Sequence, residues 1–308
     1  MQKMQSINTY RFVLDPTSRK YKCPNCGQRS FVIFIDSQTG EIMEEYGRCD
    51  RESKCGFFYH PSKGGFNNSR NSDIVIDKIE IPSPSFHQNS IVEESMQLKS
   101  DFLKYIGLLF GTSAANEVQS KYKIGTFQHF NYSTIFWQID GLNNVRAGKI
   151  IKYSESGKRT KNISWMHKFL LHNNVIKSFN LSQCLFGLQL TNNDKTSIIG
   201  LVESEKTACI MSVVFPDFLW LSCGAKGEFK LAKLSAIKDR EIIAYPDCEI
   251  QNNGTSTYDE WKKKAEGFNK VGFKIYVSDL LEKESTLEQK KQGIDIADYF
   301  MKEVNVHR

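Results

Sequence analysis

Two sets of side chains in this sequence are spaced for chemistry: four cysteines near the N-terminus and a group of carboxylates in the C-terminal third. Cys23-Pro-Asn-Cys26 runs straight into Gly27, and Cys49 and Cys55 form a second pair that runs into Gly56. Such glycines suit tight knuckles whose amides point at thiolate sulfur. Between the pairs lie a strand-like run, Phe31-Val-Ile-Phe-Ile-Asp36, and a turn, Gln38-Thr-Gly40. Two cysteine pairs joined by a hairpin are the layout of a zinc ribbon, with Cys23, Cys26, Cys49 and Cys55 closing a tetrahedral structural zinc site. The second spacing exceeds the usual two to four residues or so, which leaves His60 as an alternative ligand. The competing chemistry is a pair of disulfides. It needs an oxidising compartment, and the N-terminal residues lack the apolar core of a secretory signal. The other cysteines, Cys184, Cys209, Cys223 and Cys248, stand in apolar or strand-like settings and read as small buried hydrophobes.

The carboxylates follow apolar runs. Glu203 comes directly after Ser197-Ile-Ile-Gly-Leu-Val202, and Asp247 and Glu249 come just after Glu241-Ile-Ile-Ala-Tyr245. An acid at one strand end can handle a proton. Two acids spaced i, i+2 at a neighbouring strand end can hold a divalent cation, and oxygen ligands suit Mg²⁺ that also binds phosphate oxygens. The plain reading of a lone acid after a strand is a helix N-terminal residue favoured by the dipole.

These acids need a parallel sheet to bring them together, and the chain from residue 196 has its pattern. Strand-like runs at 197–202, 218–222, 241–245 and 272–277 alternate with helical stretches at 203–213 and 258–269. Parallel sheets of this kind carry their chemistry at the carboxyl ends of the strands. Upstream, residues 61–73 are polar and glycine-rich, and the short extended stretch 74–81 is stopped by Pro82 and Pro84. Residues 98–110 have helical spacing, and Thr112 or Ser113 caps a second helix reaching Tyr122. Residues 133–140 and 145–153 flank Gly141-Leu-Asn-Asn144 as a hairpin. The division expected is a ribbon at 8–62, a linker at 63–92, a basic α+β segment at 93–190 and an α/β domain at 191–308.

Charge is concentrated in one place. Residues 145–180 hold eight Lys or Arg against the single acid Glu155, while the whole 308-residue chain is only +6. Arg146, Lys149, Lys152, Lys158 and Arg159, interleaved with Tyr153, Trp165 and His167, are candidates for a nucleic-acid track. The plain alternative is a solvated basic face with core aromatics. A composition of 40% hydrophobic and 25% charged residues excludes disordered and fibrous classes. No apolar run approaches the roughly 18 residues of a membrane span, so a soluble, cytoplasmic protein is expected.

At this point the residues carry a resemblance. Leu201-Val-Glu-Ser-Glu-Lys-Thr-Ala208 resembles the first Toprim motif in its V-E-G-E-K-T-A form, and Ile242-Ile-Ala-Tyr-Pro-Asp-Cys-Glu249 resembles the second. A cysteine ribbon, a basic segment and a Toprim domain in this order are similar to bacterial and phage primases. Ile135-Phe-Trp-Gln-Ile-Asp140, Gly148-Lys-Ile-Ile-Lys-Tyr153 and Trp165-Met-His167 further resemble primase-like proteins of Bacteroidetes genomes and mobile elements. The resemblance implies a Rossmann-like Toprim domain in which Glu203 is the general acid/base and Asp247, with Glu249, binds Mg²⁺. Two positions depart from the pattern: Ser204 stands for the usual glycine and Glu249 for the second aspartate. Asp295 and Asp298 resemble the start of the Toprim C-terminal helix, with Asp295 either its N-cap or a ligand.

The function so implied is Mg²⁺-dependent, primase-type nucleotidyl transfer on a single-stranded DNA template, in replication of a bacterial mobile element or phage. Single-stranded DNA and nucleotides are the implied partners, and a separate replicative helicase is a further one. No Walker A pattern is present, which argues against a fused helicase. The alternatives are a non-catalytic DNA-binding accessory protein of replication and a Toprim nuclease.

Overall fold

In the computed structural model, residues 12–15, 17, 19–36, 41–51, 54–61, 83–249 and 256–306 are described. The chain divides into two compact units, residues 1–83 and 84–308. The expected stretch at 74–81 and most of the linker lie outside the described residues. The boundary expected at 190/191 falls inside the second unit.

The first unit is an antiparallel sheet of β1 (Phe12–Leu14), β2 (Tyr21–Lys22), β3 (Arg29–Asp36), β4 (Ile42–Cys49) and β5 (Phe58–Tyr59), with β3 at its centre beside β1, β2 and β4. The alternation of β3 sends Phe31 and Ile33 inward, where they pack with Tyr21 and the cysteines.

The second unit holds two four-stranded sheets. The first is an antiparallel meander of β6 (Gly125–Phe127), β7 (Ser133–Ile139), β8 (Val145–Tyr153) and β9 (Arg159–Trp165). The expected hairpin over residues 133–153 is β7–β8, with Thr134 opposite Ile151 and Phe136 opposite Lys149. One face of this sheet carries Ile135, Trp137, Ile139 and Ile150 against Val92 and Met166. The other face, with Phe136, Ile151 and Tyr153, joins a core shared with the second sheet.

That second sheet is parallel, in the order β11 (Leu219–Ser222), β10 (Ile199–Val202), β12 (Glu241–Tyr245) and β13 (Lys274–Val277). It has the βα alternation expected, with helices Glu205–Val214 and Thr257–Asn269 among its crossovers. Leu201, Leu221 and Ala244 face a core that contains the stacked pair Phe229 and Trp261, 4.4 Å apart. Gly200 is a glycine because Trp220 of β11 lies over it; a Cβ there would come within 2.5 Å of the indole.

The two sheets are tied together through aromatic packing and one ion pair. Tyr122 stacks on Phe186 and donates its hydroxyl to the Trp220 carbonyl at 2.9 Å. Lys149 of β8 lies 3.0 Å from both carboxylate oxygens of Glu205, the first residue of helix Glu205–Val214. Lys149 is 8% exposed and Glu205 1% exposed. Removing one partner from a buried pair leaves the other charge uncompensated, so Lys149→Met should destabilise the second unit by about 3–5 kcal/mol. Lys149→Met combined with Glu205→Leu should recover most of that loss. Urea unfolding of the single and double variants checks both statements.

Candidate functional site

The cysteine cluster follows from the ribbon's turns. Gly27, at φ +67°, closes the first knuckle, where its amide donates to the Cys23 carbonyl at 2.9 Å. In the second, the Cys55 amide donates to the Arg51 carbonyl at 2.7 Å, and Gly56 again takes a positive φ. The ligand atoms of Cys23, Cys26, Cys49 and Cys55 all lie within 4.8 Å of one another. The Cys23–Cys55 and Cys26–Cys49 sulfur separations are 3.7 and 3.9 Å. A tetrahedral zinc with bonds of about 2.3 Å separates its sulfurs by about 3.8 Å, so the four residues fit this metal. The Asn25 amide and the Phe57 backbone N–H bring the Cys55 thiol down to about 6, while burial pushes Cys23 up to about 12.

His60 is not part of this cluster. Its ring packs 4.8 Å from Phe34 and 6.2 Å from Phe12. None of the eight cysteines is in a disulfide, and Cys184, Cys209, Cys223 and Cys248 are buried as small apolar residues.

The carboxylates are gathered by sheet register. Val202 of β10 pairs with Tyr245 of β12, so Glu203 and Asp247 leave neighbouring parallel strands at nearly the same level. The Asp247 backbone N–H donates to Glu203 Oε1 at 3.3 Å. The Glu203 main chain is held as well, its carbonyl accepting from the Gly224 N–H at 2.9 Å and the Ser222 hydroxyl at 3.2 Å. Burial, followed by the nearby Glu249 and Asp295 carboxylates, raises Glu203 to about 7 against the opposing Asp247 N–H and Lys226. Asp247 is raised well above the usual carboxylate range by burial and then by Glu203, Asp295, Asp298 and Glu249. Its Oδ1 is out of solvent and has no hydrogen-bond partner.

The remaining acids have other engagements. Glu249 meets the Lys226 ammonium at 2.6 Å and accepts from the Thr257 hydroxyl at 3.0 Å. Asp295 is the cap of helix Ile296–Val306, accepting from the Asp298 N–H at 2.7 Å and from the Thr207 hydroxyl at 2.6 Å. Ser204, at the position expected to be glycine, caps helix Glu205–Val214 by accepting from the Thr207 N–H at 3.1 Å. Among the described residues, the four cysteines are the one group of three or more His, Cys, Asp or Glu side chains placed to hold a metal ion. The orphaned Asp247 Oδ1 beside Glu203 fits a cation ligand, whereas Glu249 already neutralises an ammonium.

The basic segment does not form the single exposed track expected of it. Tyr153 is buried against Phe102 and Phe136, and His167 is buried in a stack with Phe179 that continues to His87. Neither ring can receive a base. Lys149 is spent on Glu205 and on the Gly224 carbonyl, 2.8 Å away. Arg146 pairs with Asp140 at 2.6 Å, and Lys152 lies 3.4 Å from Asp101. Trp165 is half-buried, while Lys158 and Arg159 are exposed. The cause is a sheet covered on both faces: seven of the nine residues of β8 are buried whatever their charge, and only Arg146 and Lys152 are partly exposed.

The zinc beta-ribbon finger family matches residues 10–71. The N-terminal unit carries a zinc ribbon. Residues 100–248 match a family described as a domain of unknown function, DUF6371. No curated protein matches the chain. Among solved structures it is similar to the primase fragment of the bacteriophage T7 primase-helicase protein, at 14% identity and TM-score 0.39, covering 92% of this chain and 94% of that one. It is also similar to a DnaG primase catalytic domain bound to ssDNA, at 11% identity and TM-score 0.40, with coverage of 70% and 80%. The zinc-binding and RNA polymerase domains of the Aquifex aeolicus primase match at 10% identity and TM-score 0.32, with coverage of 95% and 83%.

Purified protein should hold one zinc per chain by elemental analysis. Cys26→Ser should lose it, because three thiolates no longer close the tetrahedron.

Proposed function

We propose that this chain is a primase-like nucleotidyltransferase that uses Mg²⁺ and a single-stranded DNA template, with residues 191–308 acting as a Toprim domain. The observation that carries the reading is the juxtaposition of Glu203 and Asp247 at adjacent parallel strand ends, with one buried carboxylate oxygen lacking a partner. The stretch Val202-Glu-Ser-Glu-Lys-Thr-Ala208, with its resemblance to the first Toprim motif, supports it from the sequence.

In this reading Asp247 and Glu249 would hold the cation, Glu249 in exchange for its present contact with Lys226, while Glu203 stays free to handle a proton. Mg²⁺ supplies charge neutralisation for a bound triphosphate when present. Glu203, raised to about 7, titrates near working pH and can take the proton of an attacking 3′-hydroxyl. The Gly224 and Ser222 contacts fix its backbone, so its carboxylate swings from a rigid base. By the same reading, the protein works in the cytoplasm, in replication of a bacterial mobile element or phage, beside a separate replicative helicase. One observation favours the second reading, a non-catalytic DNA-binding accessory protein: Glu249 is tied to Lys226 and Thr257.

Labelled-nucleotide incorporation on a single-stranded template tests the choice. The enzyme reading expects Mg²⁺-dependent synthesis that Asp247→Asn abolishes and Glu203→Gln slows by about 10²–10⁴-fold, the range for a lost general acid or base. Oligonucleotide affinity should be unchanged in both variants. No incorporation by the wild type, with DNA affinity intact, would assign the chain to the accessory class.

A further inference from the structure

The antiparallel sheet has an unusual end. Between β6 and β7 the chain makes a five-residue turn, residues 128–132, in which every residue is exposed. Two consecutive residues without a glycine among them, Asn131 and Tyr132, take φ values of +49° and +57°. Asparagine tolerates that region; a tyrosine there is rare and strained. The turn is nevertheless held in place by three successive carbonyls. The Phe130 carbonyl accepts from the Ser133 hydroxyl, that of Asn131 from the Lys152 ammonium, and that of Tyr132 from the Asp101 N–H at 3.0 Å.

The result is a rigid tip that turns two aromatic rings outward, Phe130 at 52% and Tyr132 at 45% exposure. Phe130 rests on Phe127 at 5.2 Å, which supports its ring from behind. Positive charge surrounds the tip. The Lys104 ammonium lies 5.5 Å from the centre of the Tyr132 ring. The sheet register puts Arg159 opposite Tyr153 and Ile151 opposite Thr134, so the exposed Lys158 and Arg159 share this end of the sheet. With neighbouring strands about 4.8 Å apart, the start of β7 and the start of β9 are separated by about 10 Å. The nearby acids are Asp101, which Lys152 partly neutralises, and Glu155 in the β8–β9 turn.

The geometry points to this tip as a base-stacking platform for single-stranded DNA, with Phe130 and Tyr132 taking bases and Lys104, Lys158 and Arg159 taking phosphates. The inference rests on the nucleic-acid part of the proposed function and moves the stacking role from the buried Tyr153 and half-buried Trp165 to residues on the outside. Exposed rings on a turn held by three bonded carbonyls lose little entropy on binding. Stacking needs a free base face, which a duplex does not offer, while cations flanking the rings match the phosphates that follow each base. An apolar protein partner would instead meet rings ringed by lysine and arginine.

The test measures fluorescence anisotropy of labelled oligo(dT), a matched abasic oligonucleotide and a duplex, using the full chain with its zinc. The variants are Phe130→Ala and Tyr132→Asn, the latter because asparagine is at ease at positive φ and preserves the turn. Wild type should bind oligo(dT) at least about 10-fold tighter than the abasic strand, since stacking on aromatic rings is lost without bases. Each variant should weaken oligo(dT) binding by about 10-fold and leave abasic binding within about 2-fold. Tyr132→Phe should bind as wild type does. If wild type prefers oligo(dT) over the abasic strand and both variants keep that preference, the platform lies elsewhere while the nucleic-acid reading stands. If wild type binds neither oligonucleotide, both are overturned. Equal affinity for oligo(dT) and abasic DNA would reduce the tip to a charged patch.

Discussion

The ammonium of Lys149, carried by an antiparallel sheet, reaches both oxygens of Glu205 on the first turn of a helix that leaves the parallel sheet. It also reaches the Gly224 carbonyl, and the N–H of that same glycine holds the Glu203 backbone. One lysine therefore links the sheet above, the loop after β11 and the strand end that presents Glu203. Gly224 itself takes φ +92°, and a Cβ there would press to 3.4 Å from the Glu205 carboxylate. A sheet covered on both faces leaves Lys149 no route to solvent, so its charge has to be met inside. Glu205 meets it, with the helix N-terminus helping to stabilise the carboxylate. Such a pair contributes little net stability but strongly disfavours arrangements in which the two sheets come apart.

The acids at the strand ends are costly in a different way. Glu203 and Asp247 are brought together by backbone register, and burial first raises both carboxyl groups; Glu249 and Asp295 then raise Glu203 further, and Glu203 with the other acids raises Asp247. Proteins tolerate such clusters where a cation or a proton in transit relieves them. Around this pair the structure resolves each acid into a distinct task. Asp295 caps a helix and also takes the Thr207 hydroxyl, Glu249 takes Lys226, and Asp247 keeps one oxygen unpaired.

Much of this was legible in the residues. The ribbon follows from Cys23, Cys26, Cys49 and Cys55, because a metal site built from knuckles is a local pattern. The parallel sheet follows from runs such as Glu241–Tyr245, whose length and apolar character leave few other homes. The acid positions follow in turn, since Glu203 and Asp247 stand next to those runs. The fate of the basic residues was not legible. A count of charges over residues 145–180 cannot distinguish Lys149, which the covered sheet buries against Glu205, from Arg159, which stays exposed at the end of the sheet. The pairing of Glu205 is not legible locally, because its partner lies 56 residues away. The exposed tip at Phe130 and Tyr132 was equally hidden: apolar rings in sequence read as core, and only the backbone at positive φ turns them out. The strand β9 and the helix Asn89–Ser95, short and weakly periodic, were missed for the same reason that tertiary packing rather than local preference holds them.

The central claim is that Asp247 helps to hold a divalent cation for nucleotidyl transfer, beside Glu203 as the general base. Mn²⁺ titration of the zinc-loaded protein, followed by electron paramagnetic resonance with and without a nucleoside triphosphate, tests it most directly. The account predicts one bound Mn²⁺ per chain, tightened by the triphosphate and lost in Asp247→Asn. Wild-type protein that binds no Mn²⁺, or an Asp247→Asn variant that binds it as wild type does, would contradict it.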